Sequence, residues 1–294
     1  MKFSDIYHSN ETAISFELFP PKSEQAMEKL EERLPNLIAL QPSLITVTYG
    51  AMGSASGQTL QLCSRLKNEY HVETAHHLTC VEADQVEITE ILESIRQHNI
   101  ENIVALRGDA RHGDIEFIPP KNGYNHGNQL VEHIHSIGGF SIAVAGYPEK
   151  HIESPNLEAD LQNLKLKADS GADAIITQLY YDNKYFYRFL EQCRTLGIDQ
   201  PIVPGLMPIQ NLNQITRIID RCGATIPEHL LAQLEQAGDN TEKVWEISVT
   251  HTTNQALDLL QHGVPGIHFY VLNSDSHIAE ILQRIRPALH KYAP

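Results

Sequence analysis

The feature that most constrains this chain is the repeated alternation of short apolar, β-prone runs with amphipathic stretches. The first run, residues 13–19, is followed by apolar residues at three-and-four spacing from Met27 to Ile38, the pattern of a helix. The same unit recurs along the chain, and we count eight strand–helix units. Such units predict parallel strands joined by right-handed crossovers. Eight of them predict an α/β fold, the closed (β/α)₈ or TIM barrel.

The barrel prediction treats residues 1–294 as one domain, because a barrel of this kind runs to about 250 residues or more. A doubly wound open sheet is the structural alternative. It is weaker because no run has the character of an edge strand and the usual glycine-rich nucleotide turn is absent. A long segment rich in Gly, Pro, Asn and His, residues 111–127, follows the fourth strand and is predicted to be a functional or mobile loop.

Charge and composition exclude several classes of partner. The chain has 37 acidic and 22 basic residues, a net charge of −15, which argues against nucleic acid or an anionic membrane as a main ligand. It has no 18-residue apolar run and no signal-like N-terminus, so we predict a cytoplasmic protein. None of the four cysteines forms a C-x-x-C pair, and we predict no metal site.

Polar residues at the carboxyl ends of the predicted strands are candidates for chemistry, because barrel active sites lie at that face. Glu17 lies among Phe and Leu in the first strand. Burial there should raise the pKa of its carboxyl group toward neutrality and make it a usable general acid. The structural alternative is an ion pair between Glu17 and Arg107 or a lysine across the barrel.

Other candidates leave two interpretations open. Arg107 and Asp109, separated by Gly108, either meet a polar ligand or close the barrel with a salt bridge. His76 and His77 are adjacent on a strand, so at most one of them enters the barrel. A further set has the spacing of one helix face, which either faces a ligand or is simply solvated: Asp160, Asn163 and Lys167.

Taken together, the strand ends resemble those of the methylenetetrahydrofolate reductases. The motifs occur in that family's order and cover nearly the whole chain: FELFPPK at 16–22, VTYG at 47–50, HLTC at 77–80, LRGD at 106–109, VAGYPE at 144–149, ITQ at 176–178, PGLMP at 204–208 and HFYVLN at 268–273. Each motif is weak alone, and the set is specific. The resemblance is to the short bacterial form, which consists of the catalytic barrel.

The resemblance implies a noncovalent FAD at the carboxyl face of the barrel. By motif, the implied flavin contacts are Thr48, His77, Arg107, Gly108, Asp109, Ala145, Tyr147, His151, Asp160, Asn163 and Lys167. It implies Glu17 and Asp109 as catalytic residues, with Glu17 as the general acid. The implied substrate-binding residues are Glu17, Gln178 and Tyr270.

The chemistry implied by the resemblance has two half-reactions at one flavin face. A reduced nicotinamide, NADH or NADPH, gives hydride to the flavin and leaves. Methylenetetrahydrofolate then takes the same place, and protonation by Glu17 opens its five-membered ring to an iminium ion. Hydride transfer to that carbon gives methyltetrahydrofolate, which feeds methionine synthesis. Ping-pong kinetics follow from the shared site.

Some positions depart from the family pattern. A basic residue expected before Lys167 is Leu166, an aromatic residue expected after the seventh strand is Ile218, and a basic residue expected after position 273 is Ser274. The tyrosine expected on the adenine side is ambiguous between Tyr124 and a position now occupied by His126. These departures concern the choice of nicotinamide and the binding of the folate tail.

Three other functions remain as alternatives. One is another flavin-dependent barrel oxidoreductase, such as a proline dehydrogenase, although the late arginines Arg284 and Arg286 lie on the last helix. The second is a pterin- or flavin-binding barrel that serves as a subunit or sensor without turnover, which the presence of Glu17 and Asp109 disfavours. The oligomeric state is left open, with a homo-oligomer as one arrangement. The third is a glycosidase using Glu17 and Asp109, for which the single tryptophan, Trp245, is unfavourable.

Overall fold

The computed structural model describes residues 1–9, 11–21, 23–49, 55–81, 83–108 and 117–289. Within those ranges the strands are β1 Ala13–Leu18, β2 Leu44–Val47, β3 Thr74–Thr79, β4 Asn102–Leu106, β5 Ser141–Gly146, β6 Ala174–Thr177, β7 Ile202–Val203, β8 Gly205–Leu206 and β9 Gly266–Tyr270. The helices are α1 Phe3–Tyr7, α2 Glu24–Ala39, α3 Ala55–Asn68, α4 Gln85–Gln97, α5 Gly127–Ile137, α6 Leu157–Asp169, α7 Asn183–Thr195, α8 Leu212–Cys222, α9 Glu228–Ala237, α10 Thr241–Gln261 and α11 Ser276–Leu289.

The strands form one parallel sheet that curls into a barrel. Its order is β7-β6-β5-β4-β3-β2-β1-β9-β8. The two ends of this order, β7 and β8, are consecutive in the chain and are separated only by Pro204. They are the two halves of the seventh barrel strand, one paired with β6 and the other with β9. The predicted eight-unit barrel is therefore confirmed, with a break where proline lacks the N–H that a ladder requires.

The strands read as continuous apolar runs because both of their faces are buried. Alternate residues point into the barrel, where Ala75, Val104, Ala143 and Ala174 share one cluster. The residues between them point outward and pack against the helices. Together with helix side chains they form a second, larger apolar cluster, in which Ile103, for example, is fully buried. The interior positions at the lower end are small, which leaves room for a plug.

That plug is α1, a short helix that the sequence analysis did not predict. Phe3 and Tyr7 are 0% and 4% exposed and stack with ring centroids 6.0 Å apart. Asn102, at the start of β4, holds the helix from both sides: its Oδ1 accepts from the backbone N–H of Phe3 and its Nδ2 donates to the carbonyl of Met1, both at 2.9 Å. Five residues are too few to show helical periodicity, so tertiary packing decides this element.

Several helices begin at residues that cap them. The Asp84 carboxylate accepts from the backbone N–H groups of Val86 and Glu87, and Glu87 reaches back to the N–H of Asp84. Asn211 caps α8 in the same way by accepting from the N–H of Gln214. Such caps satisfy N–H groups that the helix leaves without a partner.

One further helix, α9, was not predicted. It lies between α8 and α10 and buries Leu230 and Leu234 against α8 and α10. The longest helix, α10, has 21 residues. Among the described residues, no helix combines the length and apolarity needed to cross a bilayer.

Removing the aromatic ring at the centre of the plug should destabilise the whole barrel. We expect Phe3→Ala to lower the free energy of unfolding by about 3–5 kcal/mol, because the fully buried ring would leave a cavity beneath the strands. Leu166→Ala is the control, since Leu166 is 52% exposed and should change stability by less than about 0.5 kcal/mol. Urea unfolding measures both, and equal stabilities would contradict the role of α1 as a plug.

Candidate active site

A cavity of about 390 Å³ opens at the carboxyl end of the barrel. Every barrel strand, or the segment directly after it, supplies a residue to its wall. The lining residues are Glu17, Phe19, Thr48, Tyr49, His77, Thr79, Val104, Leu106, Ala145, Tyr147, Ile176, Gln178, Met207, Ile218, Tyr270 and Leu272. The cavity is thus a largely apolar cup with a few polar groups converging on it, which is the usual form of a small-molecule site.

Glu17 lies in this cup between two imidazole rings. Its Oε2 is 3.5 Å from Nε2 of His77 and 3.6 Å from Nε2 of His268. The Glu17 side chain is 21% exposed, whereas the rings of His77 and His268 are 7% and 0% exposed. His77 therefore enters the barrel, and His76 lies on the other face of β3, where its ring meets Tyr49 edge-on.

The expected pKa of Glu17 needs correction. Burial raises the pKa of the carboxyl group, as predicted, but the neighbouring imidazoles of His268 and His77 lower it by more, so the net pKa is below its usual value. The sequence analysis considered Arg107 as a partner and did not foresee two histidines. Without a ligand in the cup, Glu17 is thus a carboxylate at neutral pH.

The wall beside β1 depends on a close approach between Tyr270, on the neighbouring strand β9, and β8. The Tyr270 hydroxyl donates to the carbonyl of Thr177 at 2.7 Å, and the N–H of Gly205 donates to Oγ1 of Thr177 at 2.9 Å. A Cβ on Gly205 would lie 2.2 Å from the Thr177 carbonyl oxygen and 2.7 Å from Cε2 of Tyr270. Only glycine fits at position 205, and the Tyr270 ring is held in place at the rim.

A second group of polar residues lies outside the cup, beyond the ends of β4 and β5. Arg107 forms a bidentate pair with Glu153, with N–O distances of 2.7 and 2.9 Å, and its guanidinium lies over the ring of Phe117. The alternative in which Arg107 pairs with Glu17 is therefore wrong. Gly108 has φ +88°, and a Cβ there would lie 2.9 Å from Val81, so position 108 requires glycine.

The predicted helix face on α6 is only partly turned toward this outer group. Nζ of Lys167 donates to the carbonyl of Ala145 at 2.5 Å, and burial lowers the pKa of Lys167 to about 8 although Asp160 opposes the shift. Asp160 is 8% exposed and accepts from the backbone N–H of His151 at 3.2 Å. Asn163, by contrast, is exposed.

The cup and the outer group are connected. A side cavity of about 260 Å³ is lined by Tyr147, Gln178 and Ile218, which also line the cup, and by His151 and Glu153 from the outer group. The rings of Tyr147 and His151 meet edge-on with centroids 4.6 Å apart. A long ligand could therefore extend from the cup past Tyr147 toward Arg107 and Lys167.

The structure sorts the predicted site residues into three sets. Those that line the cup are Glu17, Thr48, His77, Ala145, Tyr147, Gln178 and Tyr270. Those in the side cavity or beside it are Arg107, Gly108, His151, Asp160 and Lys167, whereas Asn163 is exposed on α6 and makes no hydrogen bond with them. Asp109 lies outside the described residues, and its catalytic role stays a prediction.

Three residues of the site were missed or left without a role. His268 was noted at a strand end, but its contact with Glu17 was not foreseen; Ser15 and Glu153 were not singled out. A signal existed for the first two, because Ser15 and His268 each lie two residues before an interior residue, Glu17 and Tyr270, and so share its face. No local signal indicates Glu153, which meets Arg107 across 46 positions of sequence.

The cup is compatible with the flavin that the family resemblance implies. Nε2 of His77 and Oγ1 of Thr79 are buried and have no hydrogen-bond partner among the described residues. A flat, mostly apolar ring system with polar edges could satisfy such atoms while packing against the apolar wall. For the described part of the chain, no group of three or more His, Cys, Asp or Glu side chains is arranged to hold a metal ion.

Two buried histidines predict that acid weakens the fold. Burial lowers the pKa of His76 to about 3 and that of His77 to about 4, whereas a histidine in the unfolded chain titrates near pH 6.5 (about the reference value). From about pH 6.5 down to about pH 4, the unfolded chain binds more protons than the folded one. The free energy of unfolding should therefore fall as the pH falls through this window.

His76→Leu tests this prediction at the histidine that lies outside the cup. The variant should reduce the slope of unfolding free energy against pH by up to about 1.4 kcal/mol per pH unit. Denaturant unfolding at a series of pH values measures the slope, and His229→Leu, at an exposed histidine, is the control. If His76→Leu leaves the slope unchanged, His76 is not held neutral in the folded protein.

The chain resembles known proteins over nearly its whole length. The sequence profile of the family described as methylenetetrahydrofolate reductase matches residues 2–286. An Arabidopsis thaliana protein named methylenetetrahydrofolate reductase (NADH) 1 is 41% identical over 97% of this chain and 50% of that protein. This chain thus spans about half the length of the plant relatives it matches.

A bacterial relative is matched over most of its own length, and a solved structure shares the fold. The 5,10-methylenetetrahydrofolate reductase of Escherichia coli (strain K12) is 33% identical over 88% of this chain and 86% of that protein. An uncharacterized Clostridium thermocellum protein that binds two copies of 5-methyl-5,6,7,8-tetrahydrofolic acid has a TM-score of 0.63 at 14% identity, covering 97% of this chain and 98% of that one. At such low identity it shows the barrel fold alone. By profile and by sequence, the chain belongs to the methylenetetrahydrofolate reductase family.

Proposed function

We propose that this chain reduces 5,10-methylenetetrahydrofolate to 5-methyltetrahydrofolate with a reduced nicotinamide as the electron source. A bound FAD would carry hydride from the nicotinamide to the one-carbon unit of the folate. The observation that carries the proposal is a carboxylate, Glu17, in a cup of the size and apolarity that aromatic rings require, in a chain of this family. The other residues divide into those that hold the cofactor and those that meet the substrate.

Glu17 is proposed as the general acid. Its carboxylate is ionised while the cup is open to water, because His268 and His77 lower its pKa. A folate that fills the cup would remove the remaining 21% exposure of the side chain, and such loss of water favours the protonated form. The acid would then give its proton to the folate nitrogen whose departure opens the five-membered ring.

The cofactor-binding role is proposed for the cup residues Thr48, His77, Ala145 and Tyr147 and for the outer group. Arg107 and Lys167 are cations in a chain of net charge −15, and they suit the phosphates of a dinucleotide. The remaining proposed contacts in this group are Gly108, Asp109, His151, Asp160 and Asn163. A phosphate beside Lys167 would also stabilise its charged form, against the effect of burial on its pKa.

The substrate role is proposed for Gln178 and Tyr270. Gln178 lines both the cup and the side cavity, and its Oε1 accepts from the backbone N–H of Leu179 at 2.9 Å. Its amide N–H groups make no hydrogen bond to a described residue and would be available to a ligand. Tyr270 holds the rim through its bond to Thr177. Gln178 would thus offer a polar amide to the folate, and Tyr270 would offer a ring that its hydroxyl holds in place.

The identity of the electron donor and the setting of the enzyme are also proposals. The name of the Arabidopsis relative specifies NADH, so NADH is the donor to test first for this chain, and NADPH is the second. We retain the predictions of a cytoplasmic location, of a single catalytic domain over residues 1–294 and of a homo-oligomer. Nucleic acid and membrane are not proposed as partners, in keeping with the charge of −15.

Glu17→Gln tests the central role. The variant should bind FAD and accept electrons from NADH at the wild-type rate, but its formation of 5-methyltetrahydrofolate should fall by about 10²–10⁴-fold, the usual contribution of a general acid. The measurement is single-turnover product formation with the flavin reduced chemically beforehand, which removes the nicotinamide step. Glu11→Gln, at an exposed carboxylate, is the control. Normal product formation by Glu17→Gln would remove Glu17 from the reaction.

A further inference from the structure

A buried chain of hydrogen bonds runs from the plug helix to the back of the Glu17 site. The Tyr7 hydroxyl lies 3.3 Å from Oγ of Ser15, and Oγ of Ser15 lies 2.9 Å from Nδ1 of His268. The opposite ring nitrogen, Nε2 of His268, faces Oε2 of Glu17 at 3.6 Å. Tyr7, Ser15 and His268 are 4%, 0% and 0% exposed, so bulk water does not compete for these contacts.

The residues of this hydrogen-bond chain come from three elements, α1, β1 and β9. Ser15 and Glu17 lie two residues apart on β1 and share its interior face, and Ser15 is the register partner of His268 on β9. Tyr7 comes from α1 and rises from below. Gly266 gives its ring room, because a Cβ at that position would lie 3.0 Å from Cε1 of Tyr7 and 2.7 Å from the Ala13 carbonyl oxygen.

The direction of donation along this chain of hydrogen bonds follows from the Tyr7 hydroxyl, at the end that lies in the plug helix. Burial raises the pKa of Tyr7 to about 12, so the phenol keeps its proton. Among the described residues, the only partner of that hydroxyl is Ser15, so Tyr7 donates to Ser15. The Ser15 hydroxyl then donates to Nδ1 of His268. A neutral imidazole that accepts at Nδ1 carries its proton at Nε2.

We propose that Tyr7 and Ser15 are positioning residues that fix His268 in its Nε2–H tautomer, and that this N–H, directed at Glu17, sets the acid strength of Glu17. The tautomer part stands on the hydrogen-bond geometry together with the protonated phenol of Tyr7, and the acid-strength part rests on the proposed function. The plug helix thereby contributes to the chemistry at the opposite end of the barrel as well as to stability.

The other groups that face Glu17 do not replace this contact. His77 on β3 lies at 3.5 Å, and like Nε2 of His268 its Nε2 makes no full hydrogen bond to a described residue. The two rings differ at Nδ1, because Ser15 bonds Nδ1 of His268, whereas no described residue bonds Nδ1 of His77 to fix its tautomer. Tyr270 on β9 meets the His268 ring edge-on at 5.1 Å, and its hydroxyl is committed to the Thr177 carbonyl. On β2 the register partner of Glu17 is Thr46, and Thr48 lines the cup directly after that strand; neither carries a titrating group.

Loss of the Ser15 hydroxyl should release the tautomer. In Ser15→Ala, Nδ1 of His268 loses its donor, and the ring can carry its proton at Nδ1 instead. The bare Nε2 would then turn a lone pair toward the Glu17 carboxylate, which disfavours the charged form. The pKa of Glu17 should therefore rise, by about one unit if most of the interaction is lost.

The first experiment measures the tautomer of His268 directly. Histidine-labelled FAD-loaded protein is examined by ¹⁵N NMR, with His268→Gln used to assign the signal. Wild type should show the Nε2–H form alone, and Ser15→Ala should show a mixture with the Nδ1–H form. An Nδ1–H form in wild type, or an unchanged tautomer in Ser15→Ala, would overturn the proposal. This readout does not depend on turnover.

The second experiment measures the pH dependence of folate reduction by the chemically reduced holoenzyme. The rate should fall at the pH where Glu17 loses its proton, and the midpoint of that fall should move upward by about one pH unit in Ser15→Ala and by less in Tyr7→Phe. Ser15→Thr keeps a hydroxyl and should restore the wild-type midpoint. Ser141→Ala is the control, since it removes an equally buried strand hydroxyl, bonded to Asp173 at 2.8 Å, from another part of the barrel.

The two experiments separate the two claims. If the tautomer responds as expected but no variant, nor wild type, reduces the folate, the proposed function fails and the hydrogen-bonded chain stands. If folate is reduced and the pH at which the rate falls is the same in Ser15→Ala as in wild type, the claim that Ser15 sets the acid strength of Glu17 is wrong. If Ser141→Ala shifts this pH as far as Ser15→Ala does, the shift reflects a general loss of stability, and the claim is also overturned.

Discussion

The closure of the parallel sheet at Pro204 is the constraint on which the rest of the molecule depends. The seventh barrel strand is interrupted there, so that β7 completes the pairing with β6 and β8 completes the pairing with β9. The Pro204 carbonyl still accepts from the N–H of His268 at 2.9 Å, which keeps the two edges together despite the missing proline donor. Because the ring of strands is complete, all their carboxyl ends meet around one cup.

The closure also determines which polar groups meet inside. At Gly205 the backbone lies so near Thr177 and Tyr270 that no side chain fits. The same joint brings His268 over β1, in register with Ser15 and one layer below the pair of Glu17 and Tyr270. The polar interior is therefore ordered in layers: the Tyr7 hydroxyl lies in the plug, Ser15 and His268 share the layer above it, and Glu17 and Tyr270 share the next layer, in the cup.

Much of this could be predicted from periodicity, because a strand buried on both faces and an amphipathic helix leave separate patterns. The eight units, the caps at Asp84 and Asn211 and the interior position of Glu17 all follow from local rules. What could not be predicted depends on long-range packing. The five-residue helix α1 has no periodicity of its own, and the break at Pro204 becomes visible only when the barrel closes.

The charge partners in the site could not be predicted either, because they too come together through long-range packing. Burial of Glu17 was a local inference and was correct, yet the direction of its pKa was wrong because two imidazoles arrive from positions 77 and 268. Likewise Arg107 was considered as an alternative partner for Glu17, and its observed partner, Glu153, lies on the segment between β5 and α6. Charge partners distant in sequence leave no signal in a single chain, whereas apolar periodicity does.

The measurement that tests the account most directly is an anaerobic absorbance titration of the FAD-reconstituted protein, first with NADH and then with 5,10-methylenetetrahydrofolate. The account predicts that the flavin band bleaches with NADH and returns with the folate, so that both half-reactions occur at one site. A band that ignores NADH but bleaches with NADPH or another reductant, and still returns with the folate, would change only the donor. A protein that binds no FAD, or a reduced flavin that the folate cannot reoxidise, would contradict the account.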